Sequence, residues 1–115
     1  MNFEMNLEDK YFKLIKTGKK QIEIRLNYEK RRAIKPNDTI TFINNLDSTR
    51  LECVVKSKRE FKSFRDLYNY YPKSSLGYLP NEAASYTDMF SFYNLEDMHK
   101  FGVVAIEIQP KMPKI

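Results

Sequence analysis

Hydrophobic and polar residues alternate from Asn2 to Leu7, with Phe3, Met5 and Leu7 on one face. That period of two predicts a half-buried strand. At Glu8 the period changes. Tyr11, Phe12, Leu14 and Ile15 fall along one side, with Lys10, Lys13 and Lys16 elsewhere, so Glu8 to Thr17 reads as a short amphipathic helix. Acids in its first turn and lysines in its last suit the helix dipole. Gly18 stands where a C-terminal cap belongs, because glycine takes the left-handed conformation without a Cβ clash. Alternation resumes from Gln21 to Leu26. There Ile22, Ile24 and Leu26 share one face, and Glu23 and Arg25 share the other. The apolar face should enter a core; the charged face should look at solvent, a cleft or a ligand.

Asn27 to Asn37 is basic and irregular, with room for one helical turn in YEKRRAI. Ile34 is expected to plug inward, and Pro36-Asn37-Asp38 signals a turn. Thr39 to Asn44 is a strand with Ile40 and Phe42 together. A polar turn over Asn45 to Thr49 then leads into a long strand, Leu51 to Phe61, in a hairpin. The long strand is apolar first and basic later, as strands that bend at a barrel corner often are. Ser63 opens a helix with Asp66 in the capping-box position, a stripe of Phe64, Leu67, Tyr68 and Tyr71, and Pro72 to end it. After the loop Lys73 to Pro80, Asn81 is placed to cap a helix over Glu82 to Tyr93, with Ala84, Tyr86, Met89, Phe90 and Tyr93 inward. Asn94 caps a third short helix, Leu95 to Lys100. Phe101-Gly102 closes it, and Val103 to Ile108 is a final strand expected to pair with an early one.

The order β-α-β-β-β-α-α-α-β predicts an α+β domain: a small, mostly antiparallel barrel with short helices covering its openings. At 115 residues the chain suits one domain, over 1–109, with a frayed tail at 110–115. No apolar run approaches the ~18 residues of a membrane helix. The first residues lack the pattern of a secretion signal. A cytoplasmic protein without a membrane partner is therefore expected. Cys53 is single and lies in the apolar segment LECVV, which predicts a buried core thiol and no disulfide. His99 sits at a polar helix end, where a dipole-facing or surface role fits better than catalysis. Without a cysteine pair, an HExxH or a phosphate-binding loop, no metal or cofactor is implied.

Charge changes the picture more than composition does. The net charge is +5, and nine Lys or Arg lie between Lys13 and Lys35 against only Glu23 and Glu29. Lys56, Lys58, Arg59, Lys62 and Arg65 form a second basic run. Such clustering suits recognition of a polyanion, whose counterions Lys and Arg displace. A solvated basic face without a partner, or one that meets an acidic protein, is the plainer alternative.

The densest polar constellation is GKKQIEIR, Gly18 to Arg25. An arginine can grip phosphate or carboxylate with two parallel hydrogen bonds, and lysine adds a point charge. Glu23 could orient the Arg25 guanidinium, accept a proton or accept from a base edge. An ordinary surface salt bridge is the alternative. Aromatic residues stand among the basic ones. Core packing accounts for most of them, but Tyr78, in the loop LGYLP, is the preferred base-stacking candidate.

GKKQIEIR fits the pattern G-x-K-x-x-E-x-R. With the preceding YFKLIKT, the step IKPNDTITF (Asn37 where glycine is usual) and the ending FGVVAIEI, it resembles the ASCH domain family, which is related to the PUA domains of RNA-modifying proteins. The resemblance spans essentially the whole chain. It implies a PUA-like β-barrel of five or six strands, with a cleft beside the motif that binds RNA or nucleotides. In this chain the cleft would be built on Lys20, Glu23 and Arg25, with Lys19, Arg31 and Arg32 near for phosphate and Tyr78 for stacking. One bacterial branch of the wider family hydrolyses N4-acetylcytidine to cytidine. Its catalytic lysine matches Lys20, but its threonine falls on Glu23, and no acid stands at the spacing of its glutamate; Glu82 is the nearest. An enzyme of that kind would have to use Lys20 and Glu23 as its working pair. Other members of the wider family are associated with ribonuclease activity, for which this sequence offers no histidine pair. The departure at Glu23 favours binding over catalysis.

Overall fold

The computed structural model of the chain describes residues 1–111. Five strands form one curled mixed sheet in the order β1-β3-β4-β5-β2. They are β1 (Asn2–Leu7), β2 (Ile22–Leu26), β3 (Thr39–Asn44), β4 (Arg50–Phe61) and β5 (Val103–Pro110). Three of the neighbouring pairs are antiparallel; β1 runs parallel to β3. The sheet is thus a half-barrel whose open edges are β1 and β2. Helices α1 (Asp9–Lys16), α2 (Glu29–Arg32), α3 (Phe64–Tyr70) and α4 (Leu95–Phe101) decorate it, giving the expected α+β architecture.

Two apolar cores lie on opposite faces of the sheet. The first joins Met5, Leu7, Phe12, Ile15, Ile40, Phe42, Cys53, Val55, Val104 and Ile106. The second joins Ile22, Ile24, Leu26, Phe64, Leu67, Leu76, Met98, Val103 and Ala105. β5 feeds both, so Val103 to Ile106 read as one continuous apolar run. Complete burial of a side chain such as Phe42 or Ile106 contributes roughly 1.5–3 kcal/mol before entropy is counted.

Register explains the position of the charged motif. Across the β2–β5 ladder Glu23 faces Ile106 and Arg25 faces Val104. Both partners belong to the first core. The polar face of β2 therefore looks along the inside of the half-barrel rather than into open solvent. Leu51 to Phe61 bends as its pattern suggests: the β4–β5 register slips between Val55 and Ser57, where a bulge inserts a residue.

The expected caps form. Gly18 lies at φ +77°. Its N–H bonds the Ile15 carbonyl while Lys19 N–H reaches Leu14, both about the length of an ordinary hydrogen bond, at 3.0 and 2.9 Å. That double bond pattern is a Schellman cap. Ser63 accepts from Asp66 N–H at 3.1 Å and Asn94 from Asp97 N–H at 2.7 Å.

The helix expected over Glu82 to Tyr93 does not form. Only a 3-10 helix, Tyr86–Ser91, is present, capped by Ser85 rather than Asn81. Lys73 holds the segment in another conformation. Its ammonium takes the main-chain carbonyls of Pro80 and Glu82 at 3.0 and 2.7 Å, and the Glu82 carboxylate accepts from Leu79 N–H at 2.7 Å. These bonds hold the start of the segment as a knot. Ala84, expected inward, is exposed; Tyr86, Met89, Phe90 and Tyr93 do pack on the second core. At the C-terminus β5 runs two residues past Ile108, pairing Gln109 with Val54 and Pro110 with Cys53. The rest of the expected tail, 112–115, lies outside the described residues.

Candidate nucleic-acid interface

The site begins at the cap of α1. Once Gly18 has reversed the chain, Lys19 projects into solvent and Lys20 turns inward, 6% exposed. Gly77 makes room for it. A Cβ on Gly77 would come within 3.2 Å of the Lys20 stem, and Gly77 sits at φ +98°, where side chains are strained. The adjoining Leu76 carbonyl accepts from the Lys20 ammonium at 3.3 Å.

Glu23 is 4% exposed and ties the cations together. Its Oε2 accepts from Arg25 Nε at 2.9 Å and lies 2.8 Å from the terminal nitrogen of the same guanidinium as an ion pair. Its Oε1 accepts from Ile24 N–H at 3.3 Å and lies 3.8 Å from the Lys20 ammonium. Arg25 also donates to the Asn6 carbonyl on β1 at 2.8 Å. Glu23 is thus engaged on both oxygens by the protein itself. The unused N–H groups of Lys20 and Arg25 are what remains for a ligand.

Electrostatics follow from this packing. Burial pulls Lys20 below the ordinary lysine range, and the neighbouring Glu23 only partly opposes it. Burial works against Arg25 too, but Glu23 and Tyr93 together outweigh it and raise its pKa. The Tyr93 phenol is pushed up by burial, with Arg25 opposing.

A cavity of about 210 Å³ opens over these groups. Lys20, Glu23 and Arg25 all line it, with Asn6, Glu8, Tyr11, Asn45, Met89, Phe92 and Tyr93. The walls come from distant parts of the chain. Asn45 is carried by the β3–β4 hairpin, where its N–H bonds the Leu7 carbonyl at 2.8 Å. Phe92 and Tyr11 meet edge to face at 5.8 Å. Phe92 remains 45% exposed at the rim. A second cavity of about 300 Å³ shares Tyr11, Lys20, Met89 and Phe92 and adds Lys10, Tyr68, Gly77, Tyr78, Glu82 and Asp88.

The structure thus brings Lys20, Glu23 and Arg25 around one concave space, and puts Tyr78 in the adjoining one. The Tyr78 hydroxyl is bonded to Asp88 and Tyr68, at 2.6 and 2.9 Å. Lys19 and Arg32 are exposed and line neither cavity. Arg31 is half-buried, its guanidinium 5.3 Å from the Tyr28 ring. Burial, and after it the charge of Arg25, lower its pKa. Lys58 fastens the segment by donating to the carbonyls of Arg31, Arg32 and Ile34. Asn6, Tyr11, Asn45 and Phe92 were not foreseen as site residues. Nothing in strand or helix periodicity marks them, because they converge only through the fold.

Among the described residues, no group of three or more His, Cys, Asp or Glu is placed to hold a metal, and no helix is long and apolar enough to cross a membrane.

Comparison with known proteins agrees with this architecture. Among curated proteins none matches the chain. The crystal structure of the hypothetical protein PH0355 superposes with a TM-score of 0.82 at 40% identity, over 96% of this chain and 100% of that one. The solution structure of PF0455 from Pyrococcus furiosus gives 0.69 at 41% identity, over 96% and 97%. A variant of ZmASCH from Zymomonas mobilis gives 0.67 at 15% identity, over 95% of this chain and 70% of that one, a likeness of fold. The ASCH domain pattern itself matches residues 5–112. With nearly its whole length matched and its half-barrel shared, this chain belongs to the ASCH domain family.

Proposed function

We propose that the chain is an RNA- or nucleotide-binding ASCH domain whose Lys20–Glu23–Arg25 cavity receives one nucleoside unit. The observation that carries this reading is the saturation of Glu23. Because Arg25, Ile24 and Lys20 engage its carboxylate, the two cations are held in place with spare donors. Such a site favours a carbonyl or phosphate oxygen over a donor group. The rings of Tyr11, Phe92 and Tyr93 around it supply faces and edges for a base. A volume of about 210 Å³ lies below the ~300–1,000 Å³ of drug-sized pockets, which suits a single base better than a continuous groove. Lys19, Arg31, Arg32 and the run Lys56 to Arg65 add a basic surround for the backbone.

The test is fluorescence anisotropy with a labelled single-stranded RNA at low salt. Binding should be salt-sensitive, and Arg25→Ala should weaken it at least about tenfold, the scale of a charge-assisted hydrogen bond. Absence of binding, or unchanged affinity in the variant, overturns the reading.

A second reading, hydrolysis of an acylated nucleoside such as N4-acetylcytidine, draws on one observation. Lys20 is a buried lysine with a lowered pKa facing a cavity, the condition of a general base. The engaged oxygens of Glu23 weigh against its acting as a proton acceptor. Turnover of N4-acetylcytidine that disappears in Lys20→Ala would support this reading, and its absence would remove it.

A further inference from the structure

The second cavity sets acceptors, on Asp88 and Tyr68, beside the ammonium groups of Lys10 and Lys20. Asp88 lies within 2.6 Å of the Tyr78 hydroxyl, and a carboxylate only accepts, so Tyr78 donates. With its proton spent, Tyr78 must accept from Tyr68, 2.9 Å away. The chain Tyr68–Tyr78–Asp88 therefore consumes both phenolic protons. Burial holds the Tyr78 phenol well above its ordinary range and raises that of Tyr68, so both remain neutral donors. What the chain leaves towards the cavity is acceptor capacity: the second carboxylate oxygen of Asp88 and a lone pair of Tyr68. No cation lies within ion-pair distance of Asp88 among the described residues.

The position of this acceptor group is fixed. Ser85 caps the 3-10 helix that carries Asp88. Lys73 holds the chain before it. Lys20 is common to both cavities. A ligand lying across Lys20 would meet donors from Lys20 and Arg25 at one end and acceptors from Asp88 and Tyr68 at the other. A nucleoside has that polarity, with carbonyl oxygens on the base and hydroxyl donors on the sugar. Carboxylates take ribose hydroxyls in the same way in dinucleotide-binding folds.

We propose that the second cavity is a ribose subsite, in which Asp88 accepts from the 2′-hydroxyl of the nucleoside whose base lies over Lys20 and Arg25. The inference rests on the nucleoside-binding reading and adds a selectivity to it: ribose over deoxyribose. Tyr78 is a positioning residue here. By donating to one oxygen of Asp88 it leaves the other aimed at the sugar.

The experiment uses ribo- and deoxyribo-oligonucleotides of one sequence, each with the same label, together with the corresponding 5′-monophosphates as unlabelled competitors. The wild-type chain should bind the ribo form about tenfold more tightly, the scale of one hydrogen bond to a charged acceptor. Asp88→Asn keeps the size of the side chain and an oxygen to accept from Tyr78. It should lose most of that preference by weakening the ribo form, with deoxyribo affinity unchanged. Tyr78→Phe should narrow the preference as well, because Tyr68 then turns its proton towards Asp88 or the cavity. Thermal melting and far-ultraviolet circular dichroism check that each variant folds. Equal wild-type affinity for the two sugars, or an equal loss of both in Asp88→Asn, overturns the ribose subsite and leaves the nucleoside reading standing if Arg25→Ala still weakens binding. Failure of the wild type to bind either form overturns both.

Discussion

Arg25 on β2 donates to the main-chain carbonyl of Asn6 on β1 at 2.8 Å, joining the two edge strands that no ladder connects. The residue proposed for ligand recognition is therefore also a side-chain bridge across the open side of the half-barrel. Removing it does two things at once. Asn6 loses its donor, and Glu23, 4% exposed, is left with Lys20 as its only cation. Arg25→Ala should lower unfolding free energy by about 2–3 kcal/mol, the scale of charge-assisted bonds to buried groups. Arg25→Lys keeps the charge but not the fork, and should recover part of the stability without restoring full binding. Urea denaturation of the three proteins checks both statements; identical midpoints would remove the bridge from the account.

Lys20 depends on a glycine far away in sequence. At Gly77 an added Cβ meets the Lys20 stem at 3.2–3.3 Å, and the backbone is at φ +98°. Gly77→Ala should cost about 1–2 kcal/mol for the strained conformation alone. It should also displace Lys20 and weaken ligand binding, while Gly18→Ala, with nothing within 4 Å of its Cβ, should strain the cap of α1 and leave the stem of Lys20 uncrowded. Melting temperatures and RNA affinity of the two variants separate these effects.

The pH dependence follows from the direction of the Lys20 shift. Burial lowers its folded value below the ordinary 10.5. Below that folded value the ammonium is charged in both states and its desolvation cost is present in full. As pH rises from there towards 10.5, the folded protein gives up this proton first, so the contribution of Lys20 to stability rises with pH. Lys20→Met should remove that upward slope. At neutral pH it should destabilise by about 1–3 kcal/mol, because it removes one partner of the buried Lys20–Glu23 pair and leaves Glu23 with Arg25 as its only cation. Binding should be lost as well. Urea midpoints of both proteins across the alkaline range give the test; parallel curves contradict it.

Much of this was legible in the sequence. The caps at Gly18, Ser63 and Asn94 formed because each depends on local chemistry: a left-handed glycine, or an oxygen within reach of the third N–H. Strand parity correctly set Glu23 and Arg25 opposite Ile22 and Ile24. Parity could not say what covers that polar face. The cover comes from Met89, Phe92 and Tyr93, far along the chain, and from the inward curl of the sheet. The missing helix at Glu82 has a similar cause. Periodicity counted Ala84 and Tyr86 on one face, but the side chain of Lys73 binds the carbonyls of Pro80 and Glu82, on either side of the expected cap. Tertiary hydrogen bonds of this kind leave no periodic trace.

Cys53 offers an independent check on the core. It is fully buried in the first cluster, and burial pushes its thiol up to about 12. In the folded protein it should be inert to thiol reagents at neutral pH, reacting only as fast as the domain opens. Rapid labelling under native conditions would contradict the packing of β4 against β3 and β5.

The central claim is that ligand enters the cavity over Lys20, Glu23 and Arg25. Backbone amide shifts recorded while a short single-stranded RNA is titrated into the isotope-labelled protein test it most directly. The account predicts saturable shifts centred on Asn6, Tyr11, Lys20, Asn45, Phe92 and Tyr93, and their disappearance in Lys20→Met. Shifts confined to the exposed basic run between Lys56 and Arg65, or unchanged in that variant, would contradict it.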